Sequence, residues 1–399
     1  AKGLKLDMSR GKPAASQLDM EMDFMNVLNA DSILKTEAGV DCRNYGIMDG
    51  IPEARKLIGD VLGVSADNVI VFGNASLNIM YDTVARSEIF GVMGETPWCK
   101  LDKVKFLCPV PGYDRHFAIT EQFGIEMINV PMTEDGPDMD MVEELVNTDP
   151  AVKGIWCVPK YSNPQGYTYS DETVKRFAAL KPKAADFRIF WDNAYCVHHL
   201  VDNPPVQANL LEEAKKVGNE DICYMFASTS KITFPGSGIA VMAASERNLA
   251  SLKKSLGFAT IGFDKMNQLR HLRFFGGKFE NLLEHMKKHN ALIAPKFAIV
   301  VNTLEKELGD LDIATWSNPK GGYFISFNQK GCAKRIVQLC KDAGVVLTGA
   351  GASFPYGVDP EDENIRISPT FPTEEELQKA MDVFVCSAKL AAAEQLLAD

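Results

Sequence analysis

Two side chains that could carry out amine and ring chemistry follow two apolar runs of the chain. Lys231 comes shortly after residues 222–226, and Asp192 comes directly after residues 188–191. A lysine amine can form a Schiff base with an aldehyde, and a carboxylate can keep a ring nitrogen protonated. Each feature is common by itself. Together they suit an enzyme that stabilises a carbanion on an aldehyde-bearing cofactor ring.

Further motifs extend this pair into a pattern that covers most of the chain. Asn163-Pro164-x-Gly166 lies upstream of the pair, and Arg366 lies downstream. In order and spacing, this set resembles the class I aminotransferases of fold type I. The resemblance implies pyridoxal 5′-phosphate as the cofactor. It also implies amino-group transfer between small-molecule amino acids and 2-oxo acids.

The composition predicts a large enzyme that binds neither nucleic acid nor membranes. The 399 residues are 46% hydrophobic and 24% charged, which is enough to form a sizeable core. A net charge of -11 argues against binding to a phosphate backbone. The start of the chain lacks the apolar stretch of a signal peptide, and no apolar run approaches the roughly 20 residues that span a bilayer.

The cysteines indicate a reducing compartment. Nine cysteines are scattered along the chain without a CxxC pair, and several lie inside apolar runs. This pattern is typical of buried, reduced thiols rather than of a disulfide framework or a zinc site. We therefore expect a cytoplasmic protein without a metal site.

Most of the chain alternates between strand-like and helix-like segments, which predicts crossover connections and a mainly parallel sheet. Near-continuous apolar runs suit strands that are covered on both faces. The helix-like segments include residues 140–146 and 171–180, the second with Ser170 as a candidate N-cap. Seven runs are predicted as strands: residues 69–72, 104–107, 127–130, 154–158, 188–191, 222–226 and 239–242.

The pattern changes after about Gly276 and predicts a smaller α+β unit. A long helix is expected over residues 278–308, with a kink at Pro295. Further runs at residues 321–325 and 344–347 surround a helix at 332–343, and a last helix begins at Thr373. The resemblance implies that the N-terminal segment joins this unit. The predicted α/β fold therefore has a large domain at residues 41–276, with a mainly parallel seven-stranded sheet. A small domain would consist of residues 1–40 and 277–399.

A short loop at residues 73–76 lies between a predicted strand and a predicted helix. A helix N-terminus has unpaired amides and a positive dipole end, so it binds phosphate well. An ordinary turn capped by Ser76 is the alternative. The resemblance implies that the cofactor phosphate is bound by Asn74, Ala75, Ser76, Ser228 and Ser230.

The resemblance also implies residues that contact the cofactor ring. Tyr113 would stack on the pyridine face, and His116 would hydrogen-bond to Asp192 to orient it and help keep it ionised. Asn163 and Tyr195 would contact the phenolic oxygen of the ring. Core packing is the alternative role for Tyr113, and a structural role is the alternative for His116.

Two further positions concern the phosphate. Tyr45 matches a tyrosine that reaches the phosphate of the neighbouring subunit, which implies a homodimer with shared active sites. Gly238 occupies the place of an arginine that usually clamps the phosphate, so the chain departs from the family there. Together with residues 9–13 and 73–78, this departure resembles the type Ic bacterial aspartate aminotransferases.

Substrate binding is predicted from carboxylate chemistry. Arg366 matches the arginine that binds the α-carboxylate, for which the guanidinium fork is well suited. Asn163 would contact the same carboxylate, and Gly11 would let the backbone approach it. A dicarboxylate needs a second cation, for which the candidates are Lys12, Lys265, Arg10 and Arg270, with the two lysines preferred.

The predicted reaction is transfer of the amino group of aspartate, or of a similar amino acid, to 2-oxoglutarate. It would follow a ping-pong scheme, with Lys231, Asp192 and Tyr195 as the catalytic residues. A β-lyase is an alternative because the same carbanion would serve both reactions, and a different amino donor is another. A transcriptional regulator with an aminotransferase-like domain is disfavoured. Such proteins need an added basic helix-turn-helix segment, whereas the first family motif here begins at residue 9.

Overall fold

The computed structural model describes residues 3–398, which contain thirteen strands and twelve α-helices. The strands are β1 (Leu6–Asp7), β2 (Val69–Val71), β3 (Lys105–Val110), β4 (Glu126–Thr133), β5 (Gly136–Pro137), β6 (Val152–Cys157), β7 (Arg188–Asp192), β8 (Cys223–Ser228), β9 (Ala240–Ala244), β10 (Thr315–Trp316), β11 (Ile325–Asn328), β12 (Val345–Val346) and β13 (Asn364–Ile367). The helices are α1 (Ala15–Asp19), α2 (Pro52–Leu62), α3 (Ser76–Phe90), α4 (Asp114–Gln122), α5 (Met139–Thr148), α6 (Asp171–Ala178), α7 (Leu210–Lys216), α8 (Glu246–Ala259), α9 (Lys265–Phe275), α10 (Phe279–Leu308), α11 (Ala333–Asp342) and α12 (Glu374–Ala398).

The largest sheet has the strand order β2-β9-β8-β7-β6-β3-β4-β5. The five strands from β8 to β4 in this order are parallel to one another, whereas β9 is antiparallel to both β8 and β2. The predicted α/β class and mainly parallel sheet are therefore confirmed, and all seven predicted strands are present. An eighth strand, β5, pairs antiparallel with β4 over two residues. It was not predicted because a Gly-Pro pair has low strand propensity.

Burial on both faces explains the apolar composition of the central strands. Every residue of β6 and β7 is buried. Successive side chains of a strand point to opposite faces. On β7, Phe190 packs with Phe226 on one face, and Trp191 packs with Tyr169 and Phe177 on the other. The two hydrophobic layers hold the ends of these strands at fixed positions.

Helix positions also follow the sequence pattern. The Ser170 side chain accepts a hydrogen bond from the Thr173 amide, so Ser170 is the N-cap of α6, as predicted. The predicted long helix is α10, which has 30 residues and contains Pro295. The predicted helices near residues 332–343 and after Thr373 correspond to α11 and α12.

The C-terminal part of the chain forms most of a second hydrophobic core and the small sheets around it. Strands β10, β11 and β13 form an antiparallel sheet, and its core includes Phe297 on α10, Ile336 on α11 and Phe384 on α12. Strand β1 of the N-terminal segment pairs in parallel with β12. This pairing supports the proposed small domain, whose boundaries stay a prediction. Among residues 3–398, no helix is both long enough and apolar enough to cross a membrane.

The N-terminal segment also contacts the large sheet region. Phe24 lies in a short 3-10 helix, Met22–Met25, and is fully buried. Its ring packs edge-on against His271 and Phe274 of α9. The N-terminal segment therefore packs against both the C-terminal unit and the large sheet region.

Candidate active site

A cavity of about 180 Å³ lies at the carboxyl ends of the parallel strands β7 and β8. This edge is where α/β proteins usually bind ligands, because the loops after the strands converge there. Nine of the predicted site residues line the cavity: Ala75, Ser76, Tyr113, Asn163, Asp192, Tyr195, Ser228, Ser230 and Lys231. The structure thus brings together residues that are spread over 157 positions of the chain (75 to 231).

Asp192 and His116 form a buried pair beneath the cavity. Their relative exposures are 3% and 1%, and His116 Nε2 lies 3.1 Å from Asp192 Oδ2. The His116 ring stacks on Trp156, with the centroids 4.6 Å apart and the planes inclined by 12°. The indole therefore fixes the imidazole, and the imidazole in turn orients the carboxylate.

The second oxygen of Asp192 is unpaired in the described part of the chain. Oδ1 is buried, and no donor among residues 3–398 reaches it. Buried carboxylate oxygens are normally hydrogen-bonded, because leaving one unpaired costs about 1–3 kcal/mol or more. A protonated ring nitrogen in the cavity would supply the missing donor.

Lys231 is partly accessible through the cavity. Desolvation by the surrounding protein lowers the pKa of its amine, and the negative charge of Asp192 opposes this shift. The Nζ atom lies 4.9 Å from the centre of the Tyr195 ring. A lowered pKa increases the fraction of neutral, nucleophilic amine.

Two histidines that were not predicted from the sequence support the Lys231 loop. His198 Nε2 donates to the Lys231 carbonyl oxygen at 3.2 Å. His271 Nε2 lies 3.0 Å from the hydroxyls of Thr229 and Thr233. Burial lowers the pKa of His198 to about 3 and that of His271 to about 4, so both are neutral at pH 7. No local pattern indicates such a role, since His271 lies 42 residues from Thr229.

The loop before α3 offers an anion site. Ser76 is the first residue of α3 and not its cap; Ala75 occupies the N-cap position, without any side-chain cap. The first two amides of this 15-residue helix, those of Ser76 and Leu77, therefore keep no internal acceptor, whereas the Asn78 amide donates to the Ala75 carbonyl oxygen. The Ser228 hydroxyl donates to Ser230 Oγ at 3.0 Å, and Ser230 Oγ donates to the Asn74 carbonyl oxygen at 3.2 Å.

The structure explains the glycine at position 238. A Cβ atom there would lie 2.9 Å from Thr229 Oγ1 and 3.3 Å from the Asn74 carbonyl oxygen. Thr229 cannot yield easily, because its Oγ1 accepts the Ile239 amide at 2.9 Å and also contacts His271. An arginine at this position would therefore displace the loops that surround the anion site.

A cation on α9 lies near this loop. Asn267 Nδ2 donates to the carbonyl oxygens of Ser237 at 2.9 Å and Gly238 at 2.8 Å. Arg270 Nη1 donates to Asn267 Oδ1 at 3.3 Å. The half-buried Arg270 guanidinium is thus connected to the Gly238 carbonyl oxygen through the side chain of Asn267.

Arg366 lies on β13 and is almost completely buried. Its Nη1 donates to Asp114 Oδ1 at 2.8 Å and to Asn163 Oδ1 at 3.2 Å. The guanidinium carbon lies 4.8 Å from the centre of the Phe324 ring. Its Nε is buried and has no acceptor among residues 3–398. Asp114 was not predicted as a site residue; its position directly after Tyr113 is the only signal in the sequence.

The N-terminal segment lies beside this arginine. A Cβ atom at Gly11 would lie 2.4 Å from Phe324 Cζ, so the backbone can lie against that ring only if residue 11 is glycine. Thr348 Oγ1 donates to the Ser9 carbonyl oxygen at 2.6 Å and receives a weak contact from Arg366 Nη2 at 3.4 Å. Gly11 is therefore close to the predicted carboxylate site.

The candidate cations for the distal carboxylate differ in exposure and in hydrogen bonding. Lys12 is exposed, with Nζ 3.8 Å from the centre of the Phe371 ring. Lys265 is buried, and its Nζ donates to the Gly46 carbonyl oxygen at 2.9 Å. Lys265 does not line the cavity and instead holds the loop that carries Tyr45. Tyr45 itself is 83% exposed and does not line the cavity of its own chain.

Comparison with known proteins gives the family. The sequence profile of the family described as aspartate amino-transferase matches residues 1–399. An aspartate aminotransferase of Corynebacterium glutamicum is 46% identical over 396 residues, which cover 99% of this chain and 91% of that protein. The crystal structure of an aspartate transaminase from C. glutamicum superposes with a TM-score of 0.96 at 46% identity, covering 99% of this chain and 93% of that one.

A more distant structure shares the fold. An α-aminoadipate aminotransferase from Thermus thermophilus, complexed with N-(5'-phosphopyridoxyl)-L-leucine, has a TM-score of 0.77 at 20% identity and covers 98% of this chain and 94% of that chain. The predicted fold type is thereby confirmed. Because the profile covers the full length and the C. glutamicum relative is 46% identical, this chain belongs to the aspartate aminotransferase family.

Proposed function

We propose that this protein transfers the amino group of aspartate to 2-oxoglutarate by a ping-pong mechanism with pyridoxal 5′-phosphate. One observation carries the proposal. The unpaired Oδ1 of Asp192 and the amine of Lys231, whose pKa is lowered, line the same cavity. The substrate pair is taken from the aspartate aminotransferase of C. glutamicum, which is 46% identical.

The residues present fit this cofactor. Asp192 Oδ1 would accept a hydrogen bond from the ring nitrogen, and Tyr113 would cover a face of the ring. The amides at the start of α3, together with Ser228 and Ser230, would bind the phosphate. When bound, pyridoxal phosphate supplies an aldehyde that condenses with amines and a ring that accepts an electron pair from Cα.

The protein's own groups would move the proton. Lys231 Nζ would take the proton from the substrate Cα as a general base and deliver it to C4′ of the cofactor as a general acid. Burial keeps the pKa of Tyr195 well above its usual value, so its hydroxyl stays protonated and can donate. The Oδ1 atom of Asn163 faces Arg366, which leaves its amide nitrogen to donate to the phenolic oxygen of the ring.

Arg366 would bind the α-carboxylate of every amino donor. Its Nη1 is occupied by Asp114 and Asn163, whereas Nε is unpaired and Nη2 makes only a 3.4 Å contact. The edge formed by Nε and Nη2 is the side of a guanidinium that a carboxylate can bind with two parallel hydrogen bonds. Gly11 would bring the backbone close to the same carboxylate.

A homodimer with shared sites completes the proposal. The exposed Tyr45 side chain, on a loop held by Lys265, would reach the phosphate bound in the partner. We also propose a cytoplasmic location, in agreement with nine free cysteines, and small molecules as the only substrates. Mixing Tyr45→Phe and Lys231→Ala chains tests the shared site. Hybrid dimers should regain activity at one site, and mixing would restore nothing if Tyr45 served its own chain.

A panel of amino donors against 2-oxoglutarate tests the reaction itself. We expect the purified, cofactor-loaded protein to use aspartate with the highest kcat/KM. A higher value for another donor would reassign the substrate. Release of ammonia and a 2-oxo acid from a cysteine-like substrate, without any 2-oxo acid acceptor, would identify a β-lyase instead.

A further inference from the structure

A second cluster of chemically capable side chains lies outside the cavity that contains Lys231. Glu21, His285 and His289 have relative exposures of 0%, 8% and 2%. Glu21 Oε1 lies 2.9 Å from His285 Nε2 and 2.7 Å from His289 Nε2, and the two Nε2 atoms are 3.2 Å apart. Three potential ligand atoms from two distant parts of the chain therefore meet at one buried point.

Local structure brings these groups together. His285 and His289 are four residues apart on α10, so their side chains lie on the same face of that helix. Glu21 lies just after α1, between that helix and the short 3-10 helix that contains Phe24. The cluster thus joins the N-terminal segment to the longest helix of the C-terminal unit.

Among residues 3–398, no lysine or arginine forms an ion pair with Glu21. In the described part of the chain, the hydrogen-bond partners of the Glu21 carboxylate are the two imidazoles, both on Oε1. Its Oε2 is buried and has no partner among residues 3–398. A buried carboxylate needs a compensating charge, since the desolvation cost of an unpaired ion is several kcal/mol. The unpaired Oε2 therefore needs a hydrogen-bond donor or a cation beside it.

We propose that Glu21, His285 and His289 bind one divalent transition-metal ion of the Zn²⁺ type. Two imidazole nitrogens and one carboxylate oxygen are ligands that suit such ions, whereas Mg²⁺ and Ca²⁺ prefer oxygen alone. Atoms separated by 2.7, 2.9 and 3.2 Å can all lie about 2.0–2.2 Å from a single ion. The unpaired Oε2 of Glu21 is available as a fourth ligand.

Metal binding would require the side-chain amide of Gln17 to change its hydrogen bonds. Its Nε2 now lies 3.1 Å from His289 Nδ1 and 3.1 Å from the Tyr323 hydroxyl, while its Oε1 accepts the Ala14 amide at 3.1 Å. An imidazole that binds a metal through Nε2 carries its proton on Nδ1, which needs an acceptor. The side-chain amide of Gln17 must therefore turn over, so that its oxygen faces His289 and the Ala14 amide gives up Oε1 as its acceptor.

The position of the ion assigns it a structural role next to the active site. The ion would link the N-terminal segment, which contains Gly11 and Lys12, to α10. Through Gln17 it would also reach Tyr323, whose ring centre lies 5.9 Å from Lys231 Nζ. The ion would not contact the reacting atoms, and the proposal does not depend on which amino acid is the substrate.

Binding of Zn²⁺ alone to the cofactor-loaded protein tests the proposal. After treatment with a chelator and alkylation of the exposed thiols of Cys99 and Cys386, the protein should bind about one Zn²⁺ per chain, with a Kd below about 1 µM. Its thermal unfolding midpoint should rise on binding. Glu21→Gln and His289→Gln should each weaken binding by at least about 100-fold. His199→Gln is the matched control, because His199 bonds to Tyr161 elsewhere in the fold and should leave binding unchanged.

Wild-type spectroscopy keeps the test independent of whether the variants fold. Co²⁺ in place of Zn²⁺ should give the intense visible absorption of a low-coordinate site with nitrogen ligands. Absence of stoichiometric Zn²⁺, absence of that absorption, or unchanged affinity in folded Glu21→Gln protein would overturn the proposal. In each of those cases, the three side chains form a hydrogen-bonded cluster without a metal ion.

Discussion

The two ends of the proposed active site are built in different ways. The cofactor end uses side chains at the ends of hydrogen-bonded neighbouring strands: Asp192 on β7 pairs in register with Phe226 on β8, and Ser228 follows two residues later. The carboxylate end places Arg366 of β13 beside Asp114 of α4 and near the N-terminal segment around Gly11. One end is fixed by a single sheet, and the other depends on how three distant segments dock.

Because the two ends are built differently, we expect the cofactor end to determine the reaction and the carboxylate end to determine the choice of substrate. At the cofactor end, the buried contacts of His116 and His271 leave the reacting groups little freedom. At the carboxylate end, Lys12 is exposed and Asp114 is one-third exposed. We therefore expect substitutions at the first end to abolish all reactions alike. Substitutions on the N-terminal segment should instead change the ranking of substrates.

The largest effect is expected at Lys231. Lys231→Ala should lower kcat by at least about a thousandfold for every donor, because the Lys231 amine is the group proposed to move the Cα proton. The fold should persist, as judged by circular dichroism and dimer content. Lys160→Ala is a suitable control, since burial also lowers the pKa of Lys160 but that side chain lies outside the cavity. Turnover of Lys231→Ala at the wild-type rate would end the assignment.

The next largest effect is expected at Asp192. Asp192→Asn keeps the shape of the side chain but removes the charge that holds the ring nitrogen protonated, so kcat should fall by about 100-fold or more. The negative charge of Asp192 raises the pKa of Lys231, so this pKa should fall further in the variant. Kinetics at saturating cofactor give the measurement. The role is refuted if only cofactor affinity changes.

Arg366→Lys should have a smaller and uniform effect. A lysine cannot make two parallel hydrogen bonds to a carboxylate, and the loss of a charged hydrogen bond of about 1.5–3 kcal/mol corresponds to about a 10- to 150-fold decrease. Values of kcat/KM for aspartate, alanine and phenylalanine should fall in parallel. Arg335→Lys, on the surface and paired with Glu394, provides the control. A decrease confined to aspartate would place Arg366 at the distal carboxylate instead.

The smallest effect should distinguish Lys12 from Lys265. Lys12→Ala should lower the ratio of aspartate to alanine kcat/KM by about 3- to 10-fold, as expected for an exposed ion pair of about 1 kcal/mol. Lys265→Ala should affect both donors equally, because its amine is bonded to the Gly46 carbonyl oxygen. If both variants keep the wild-type ratio, neither lysine is the distal cation, and Arg10 and Arg270 are the next candidates.

Local patterns in the sequence were sufficient for the large sheet and for the residues at its edge. Apolar runs flanked by turn residues predict strands, since strands that are covered on both faces need little polar surface. Asp192 follows such a run directly and Lys231 follows one shortly, so their positions at or near the strand ends come with the strand assignment. Strand β5 was missed because two residues with low strand propensity pair only through their neighbours in the fold.

Only the tertiary structure decided which distant side chains meet. Arg366 pairs with Asp114 across 252 positions of the chain, and Glu21 meets His285 and His289 across 264 and 268. Cysteine spacing gives no indication of a metal site, and two histidines four residues apart on a helix are common without a ligand. Contacts of this kind depend on how separately formed elements pack, and side-chain packing leaves no periodic signal in a single sequence. Strands and strand-end residues could thus be predicted from local composition, whereas the partners of those residues follow from the three-dimensional fold.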